Sequence, residues 1–364
     1  MMNKALTAGL LLSLGFAASA AEPPTASITN GVVRAKLNLP DVDNGYYRGT
    51  RFDWSGSVAS LETSGHTYFG QWFPVYDPLK HDSITGPVED YAPLNYADAK
   101  PGETFVKIGI GVLKRLDDQP YRFSAPYELL DTGQWAVRKG PDFVEYRHEV
   151  ADPKSGYAYV YTKTVRLTAG KPQMTIEHNL KNTGTKAIAT NVYNHGFFML
   201  DSQPTGPDFT VTFPFEIKAS REMTGLAEVR GKQIVYLKEL EANTGGNAAP
   251  GAPAVGRGAP GAVPGGAPAG RGGSNGRTAS TPVAGFSTTD PKDFDIRIEN
   301  HKTLAGIRIT GDQPLSRINF WSVRTTVCPE AYVEVKADAG KETSWRLTYD
   351  FYTLPAQGAV TASR

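Results

Sequence analysis

The chain has 364 residues, 40% of them hydrophobic, with 38 basic and 37 acidic side chains and a formal charge of +1 at pH 7. That length and apolar content can fill a sizeable core, which excludes a wholly disordered polymer. A charge so close to zero gives no electrostatic footprint for nucleic acid or for an anionic membrane surface, and neither is expected as a partner.

At the N-terminus Lys4 precedes the apolar run "ALTAGLLLSLGFAA" and the small residues Ala18, Ser19 and Ala20. Residues 1–20 therefore read as a secretory signal peptide, whose removal would leave a periplasmic or secreted chain. The run is shorter than the roughly 20 residues of a spanning helix, and no later segment is apolar enough to span. Cys328 is the only cysteine, so an exported form can close no internal disulfide and must rely on its core.

Residues 32–240 read as successive strands, with alternating side chains punctuated by Gly, Pro, Asp or Asn. In "YAYVYTKTVRL" (157–167) Tyr157, Tyr159 and Tyr161 alternate with Ala158, Val160 and Thr162, and in "QMTIEHNLKNTG" Met174, Ile176, His178 and Leu180 share one phase before a turn at Asn182, Thr183 and Gly184. No segment of about 12 residues or more shows a clear helical period, so the expected fold is all-β, a large antiparallel β-sandwich. From 244 to 280 the composition changes to Gly, Pro and Ala with no aromatic, Leu, Ile or acidic residue. Such a stretch cannot offset its ordering entropy and is expected to be a disordered loop. Strand patterns resume at 293–301 and 304–311 and end with "SWRLTYDFYTL" (344–354). The loop is thus read as interrupting a single domain over 21–364.

Chemistry is sparse. The six histidines (His66, His81, His148, His178, His195 and His301) match no zinc spacing, and no nucleophile elbow, phosphate-binding loop or dinucleotide fingerprint occurs, so neither metal nor cofactor is expected. Period two places Tyr193, His195 and Phe197 on one strand face, and Glu330, Tyr332 and Glu334 on one face of "PEAYVEVKA". Aromatic, imidazole and carboxylate groups on one sheet face suit a sugar, whose C–H face packs on rings while its hydroxyls meet polar groups.

Several segments are similar to the galactose mutarotase-like superfamily, which includes the aldose 1-epimerases: "GYYRGTRFDWSG" (45–56), "HDSITGPVEDY" (81–91), "FVKIGIGVLKR" (105–115), "YNHGFF" (193–198), "GPDFTVTFPF" (206–215) and "INFWSVRTTVCPEAYVEV" (318–335). The resemblance implies a supersandwich that binds a sugar or oligosaccharide in a groove. It also implies aldose 1-epimerase chemistry, with His195 as general acid toward the ring oxygen and Glu330 as base toward the anomeric hydroxyl. Glu334 is the weaker match for the base. Asn194, Arg48, Arg51, His81, Glu89 and Trp321 are implied as substrate-binding residues, with Trp54 and Trp72 as further groove candidates. His81 departs from the family pattern, preceding Asp82 where that family has Leu-His-Gly-Gly. The alternative implied by the same fold is a non-catalytic glycan-binding protein.

Overall fold

Tyr157–Leu167 shows how the alternation becomes architecture: Tyr159, Tyr161, Lys163, Val165 and Leu167 are all buried, while the residues between them are mostly half-buried. The computed structural model describes residues 22–223, 225–242 and 277–356. The expected signal peptide lies outside the described residues, as does the 244–280 segment up to residue 276. Its last residues, Thr278 to Ser280, are not loop. They open the strand Thr278–Ala284 and pair with Val323, Ser322 and Trp321. Ladder pairing overrides composition there.

The strand pairings are antiparallel. One large sheet has ten strands, in the order Ala227–Arg230, Gln233–Tyr236, Phe209–Thr212, Asp295–Asn300, Ala305–Gly311, Glu342–Thr353, Gln173–Asn182, Tyr157–Leu167, Phe143–Asp152 and Gln134–Lys139. The second has six, in the order Lys218–Ala219, Thr278–Ala284, Arg317–Val323, Thr326–Ala337, Ile188–His195 and Val88–Tyr91. Four- and three-stranded sheets complete the fold. Among the described residues no helix is long and apolar enough to cross a membrane.

The main core lies between the two large sheets, and polar groups cross it. The Lys163 side chain, 0% exposed, projects from the ten-stranded sheet and ion-pairs with Glu89 of the six-stranded sheet. It also donates to the Ser55 carbonyl at 2.7 Å and lies 3.5 Å from Asp53 Oδ2. Burial alone would lower its pKa, but Glu89 and Asp53 overcome that and hold it above its ordinary value. Glu89 further accepts from Asn194 Nδ2 at 2.8 Å, and Tyr349 donates to Asn194 Oδ1 at 2.6 Å.

A second cluster, including Tyr47, Phe52, Trp54, Val88, Phe105, Phe197 and Cys328, lies against the opposite face of the six-stranded sheet. This face is therefore roofed, and the roof positions the site described below.

Removing one member of a buried ion cluster leaves the others uncompensated, which typically costs about 3–5 kcal/mol. Lys163→Met is expected to lose stability on that scale in urea denaturation. K163M/E89Q should recover part of the loss, because one stranded carboxylate is gone.

Candidate functional site

His195 ends the strand Ile188–His195, which pairs Tyr193 with Tyr332 of Thr326–Ala337. Glu330 is two residues before Tyr332 and pairs with Asn319 on the next strand. His195 and Glu330 therefore fall side by side on the face turned away from the ten-stranded sheet, with Nε2 3.3 Å from Oε1. Just past the strand, a Cβ on Gly196 would collide with the Phe198 ring. Phe197 then adopts a left-handed conformation, with φ 43°. For a bulky residue that backbone is a genuine outlier. The imidazole and the Phe197 ring lie flat on each other, with centroids 3.7 Å apart and planes at 8°. Trp72 stacks on Phe197 in turn, at 4.7 Å and 11°, while Phe52 and Trp321 meet the imidazole edge-on.

The pair is nearly enclosed, with side chains 3% and 6% exposed. The open sugar groove expected from the sequence is covered by residues from segments 45–56, 69–86 and 121–127, because their aromatic side chains pack onto the sheet face. Burial dominates the electrostatics. It raises Glu330 to about 7 despite the opposing hydrogen bond from Asn319 Nδ2 at 3.0 Å, and it pushes His195 well below its ordinary 6.5, helped by the Arg51 charge. Both shifts favour the neutral forms, an uncharged imidazole beside a Glu330 carboxyl that gives up its proton only at about pH 7. This reverses the protonation implied by the family resemblance, in which histidine is the acid. The imidazole Nδ1 is buried without a hydrogen-bond partner.

Arg51 reaches the same face but is fully engaged. Its Nε donates to Asp90 at 3.1 Å, one terminal nitrogen to the Tyr193 hydroxyl at 3.0 Å, and the other pairs with Asp82. Its guanidinium also lies over Phe52 and Phe123, at 4.4 and 4.0 Å from the ring centroids. Asp82 is held at about 2, Arg51 and His81 outweighing its burial. His81, partly exposed at the rim, has Nδ1 2.8 Å from Asp82 Oδ1. Arg48 is further out, with a long 3.4 Å contact to the Val42 carbonyl. Trp321 is at the site and half-buried, whereas Trp54 is buried and donates to the Gly49 carbonyl at 2.8 Å.

Two assignments are corrected outright. Glu89 and Asn194 alternate with Asp90 and His195, so they face the inter-sheet core and bind Lys163 and Tyr349. Period two makes this unavoidable once His195 faces the other way. Glu334 is exposed and pairs with Lys336 at 2.5 Å, well away from a base role.

The structure adds Asp82, Asp90, Lys107, Asn319 and Arg317. Lys107 is buried and donates to Asp90 at 2.9 Å and to the Tyr121 hydroxyl at 2.9 Å. Its setting in "FVKIGIGVLKR" was a visible signal, since a lysine inside an apolar run needs a carboxylate partner. Among the described residues no three His, Cys, Asp or Glu side chains converge as a metal site.

Solved structures share this architecture. The GalM/aldose epimerase homologue from C. elegans aligns with a TM-score of 0.53 at 13% identity, over 92% of this chain and 100% of that one. The Slr1438 protein from Synechocystis aligns at 0.51 and 11%, over 94% and 100%, and a galactose mutarotase-like protein from Lactobacillus casei at 0.50 and 9%, over 90% and 100%. The chain has the galactose mutarotase-like fold. No family model and no curated relative matches it.

The raised Glu330 pKa has a signed consequence. The folded state retains a proton between the unfolded value near 4.5 and about 7, so stability contributed by this site falls as pH rises through that window. Glu330→Gln removes the titration. Relative to wild type, the variant should gain stability progressively from pH 5 to pH 8 in parallel denaturation curves, and a constant difference across that range would contradict the assignment.

Proposed function

We propose that the chain is a saccharide-binding protein that interconverts the anomers of an aldose, with Glu330 donating and His195 accepting the proton. An extracytoplasmic location belongs to the same proposal, on the pattern of residues 1–20. The observation that carries the reading is the 3.3 Å contact between Nε2 and Oε1. The two oxygens bonded to one anomeric carbon are closer together than that contact, so an adjacent donor and acceptor can address both without spanning the ring.

In the forward step the anomeric O1–H gives its proton to His195 Nε2 while protonated Glu330 gives its own to the ring oxygen. The C1–O5 bond breaks and C1 becomes a carbonyl. Rotation about C1–C2 and the reverse transfers close the other anomer and restore neutral His195 and protonated Glu330. The mutual attraction of the transient imidazolium and carboxylate at close range offsets part of the desolvation cost of the two charges. Asn319, bonded to Glu330 Oε2, leaves Oε1 as the working oxygen.

One observation favours a second reading, glycan binding without chemistry. The Trp72, Phe197 and His195 rings stack in series over the pair and leave it little exposed. Sugar contacts would then stop at the rim, where Trp72, Trp321, His81 and Asp82 are half-exposed.

Proton NMR of freshly dissolved α-anomers of neutral and acidic hexoses separates the two. Positioned acid–base catalysis is worth about 10²–10⁴-fold, so His195→Ala and Glu330→Gln should each drop anomer exchange by at least about 100-fold. If wild type accelerates exchange of no aldose, the epimerase reading fails, and ligand-induced shifts of protein resonances would decide whether binding survives.

A further inference from the structure

Arg317 sits on the same face as the proton-transfer pair, one row along. It pairs with Tyr332, while Asn319 pairs with Glu330, so the two rows differ by two residues on each strand. Its charge reaches Glu330, where it opposes the effect of burial. Yet Arg317 as a residue is only half-buried and, among the described residues, pairs with no carboxylate. Its Nε is buried and has no hydrogen-bond partner. Instead it lies over the Tyr332 ring, 3.8 Å from the centroid. The Tyr332 hydroxyl is buried beside the same guanidinium, which is the donor nearest to hand for it. The contrast with Arg51, engaged on every side by Asp82, Asp90 and Tyr193, is sharp.

An aromatic shelf that fixes a guanidinium without a carboxylate partner is suited to a planar acceptor, because the fork matches a carboxylate in bidentate geometry. The geometry points to a hexuronate, an aldose carrying a carboxylate on C5, as the saccharide taken here, with Arg317 and the Tyr332 hydroxyl binding that carboxylate. The inference rests on the function proposed above. Same-face rows lie about 6.6 Å apart along a strand. In a pyranose, O1 and O5 lie at one end of the ring oxygen bridge, and the C5 substituent projects from its other end. A ring with O1 and O5 at the pair can lie so that its carboxylate reaches the neighbouring row. A phosphate would call for more than one free cation, and Arg51, Lys107 and Lys336, also on this face, are already bound to Asp90 or Glu334.

The test is calorimetric and NMR titration of the purified protein with D-glucuronate, D-galacturonate, D-glucose and D-glucose 6-phosphate, repeated with Arg317→Gln and Arg317→Lys. Lysine keeps the charge if glutamine prevents folding. At least one uronate should bind wild type at least tenfold more tightly than glucose, and both variants should lose most of that preference. A tighter complex with glucose 6-phosphate would overturn the carboxylate assignment, as would a uronate preference that survives both substitutions. Equal affinity for uronates and glucose would overturn it while leaving the proposed function standing. Binding of none of the four, with no anomer exchange, would remove both.

Discussion

An ammonium group sealed between two sheets is the constraint on which this fold turns. Lys163 has no solvent, so its charge persists only because Glu89 from the facing sheet and Asp53 from the 45–56 segment meet it there. Desolvation penalises each ion, and their mutual attraction answers that penalty only in a close, fully bonded arrangement. The cluster therefore says less about net stability than about placement. Slippage of one sheet against the other would strand a charge.

That placement reaches the opposite face through the strand Val88–Tyr91. Glu89 points inward to Lys163, and the next residue, Asp90, points outward to Arg51 and Lys107. Arg51 and Asp53 are likewise two positions apart in one segment, and the Asp53 amide bonds the Glu89 carbonyl at 2.9 Å. Two ionic clusters thus share one strand as their common wall. The outer one fixes Tyr193 and the roof segments, and so fixes what surrounds His195. Arg51 is tied into this scaffold too completely to meet a sugar, which is why Arg317, free of carboxylates, is the better candidate for recognition.

Much of this was legible in the sequence. Period-two alternation gave the strands, and the absence of helical period gave the fold class. The motif around Asn194 and His195, with the glutamate before the last strands, identified two residues that the fold brings into contact. What the sequence hid was sidedness and cover. Neighbours in a motif, such as Asn194 and His195, alternate across a sheet and cannot both line one site. Asp90 and Glu89 differ in role for the same reason, and only the pairing with Lys163 decides which faces inward. The roof was hidden for another cause: Phe52, Trp72 and Phe123 are far apart in sequence, and whether aromatic residues line an open groove or fill it depends on loop paths that no local pattern encodes. The strand at Thr278–Ala284 was masked by composition, since its first residues read as the tail of a Gly/Pro/Ala tract.

Enclosure has chemical consequences beyond access. In an open, watered groove a carboxylate and an imidazole near neutral pH hold a proton on the ring and a charge on each partner, with histidine as acid. Packing Phe197 against one face of the ring and Phe52 against its edge removes the solvent that would stabilise both charges, which favours a protonated Glu330 and a neutral His195. In the mechanism proposed above, the same two residues run the same exchange with donor and acceptor interchanged, because a hemiacetal requires only that one group give a proton as the other takes one. Under that proposal, which residue is the acid is set by the aromatic cover over the sheet face and not by residue type.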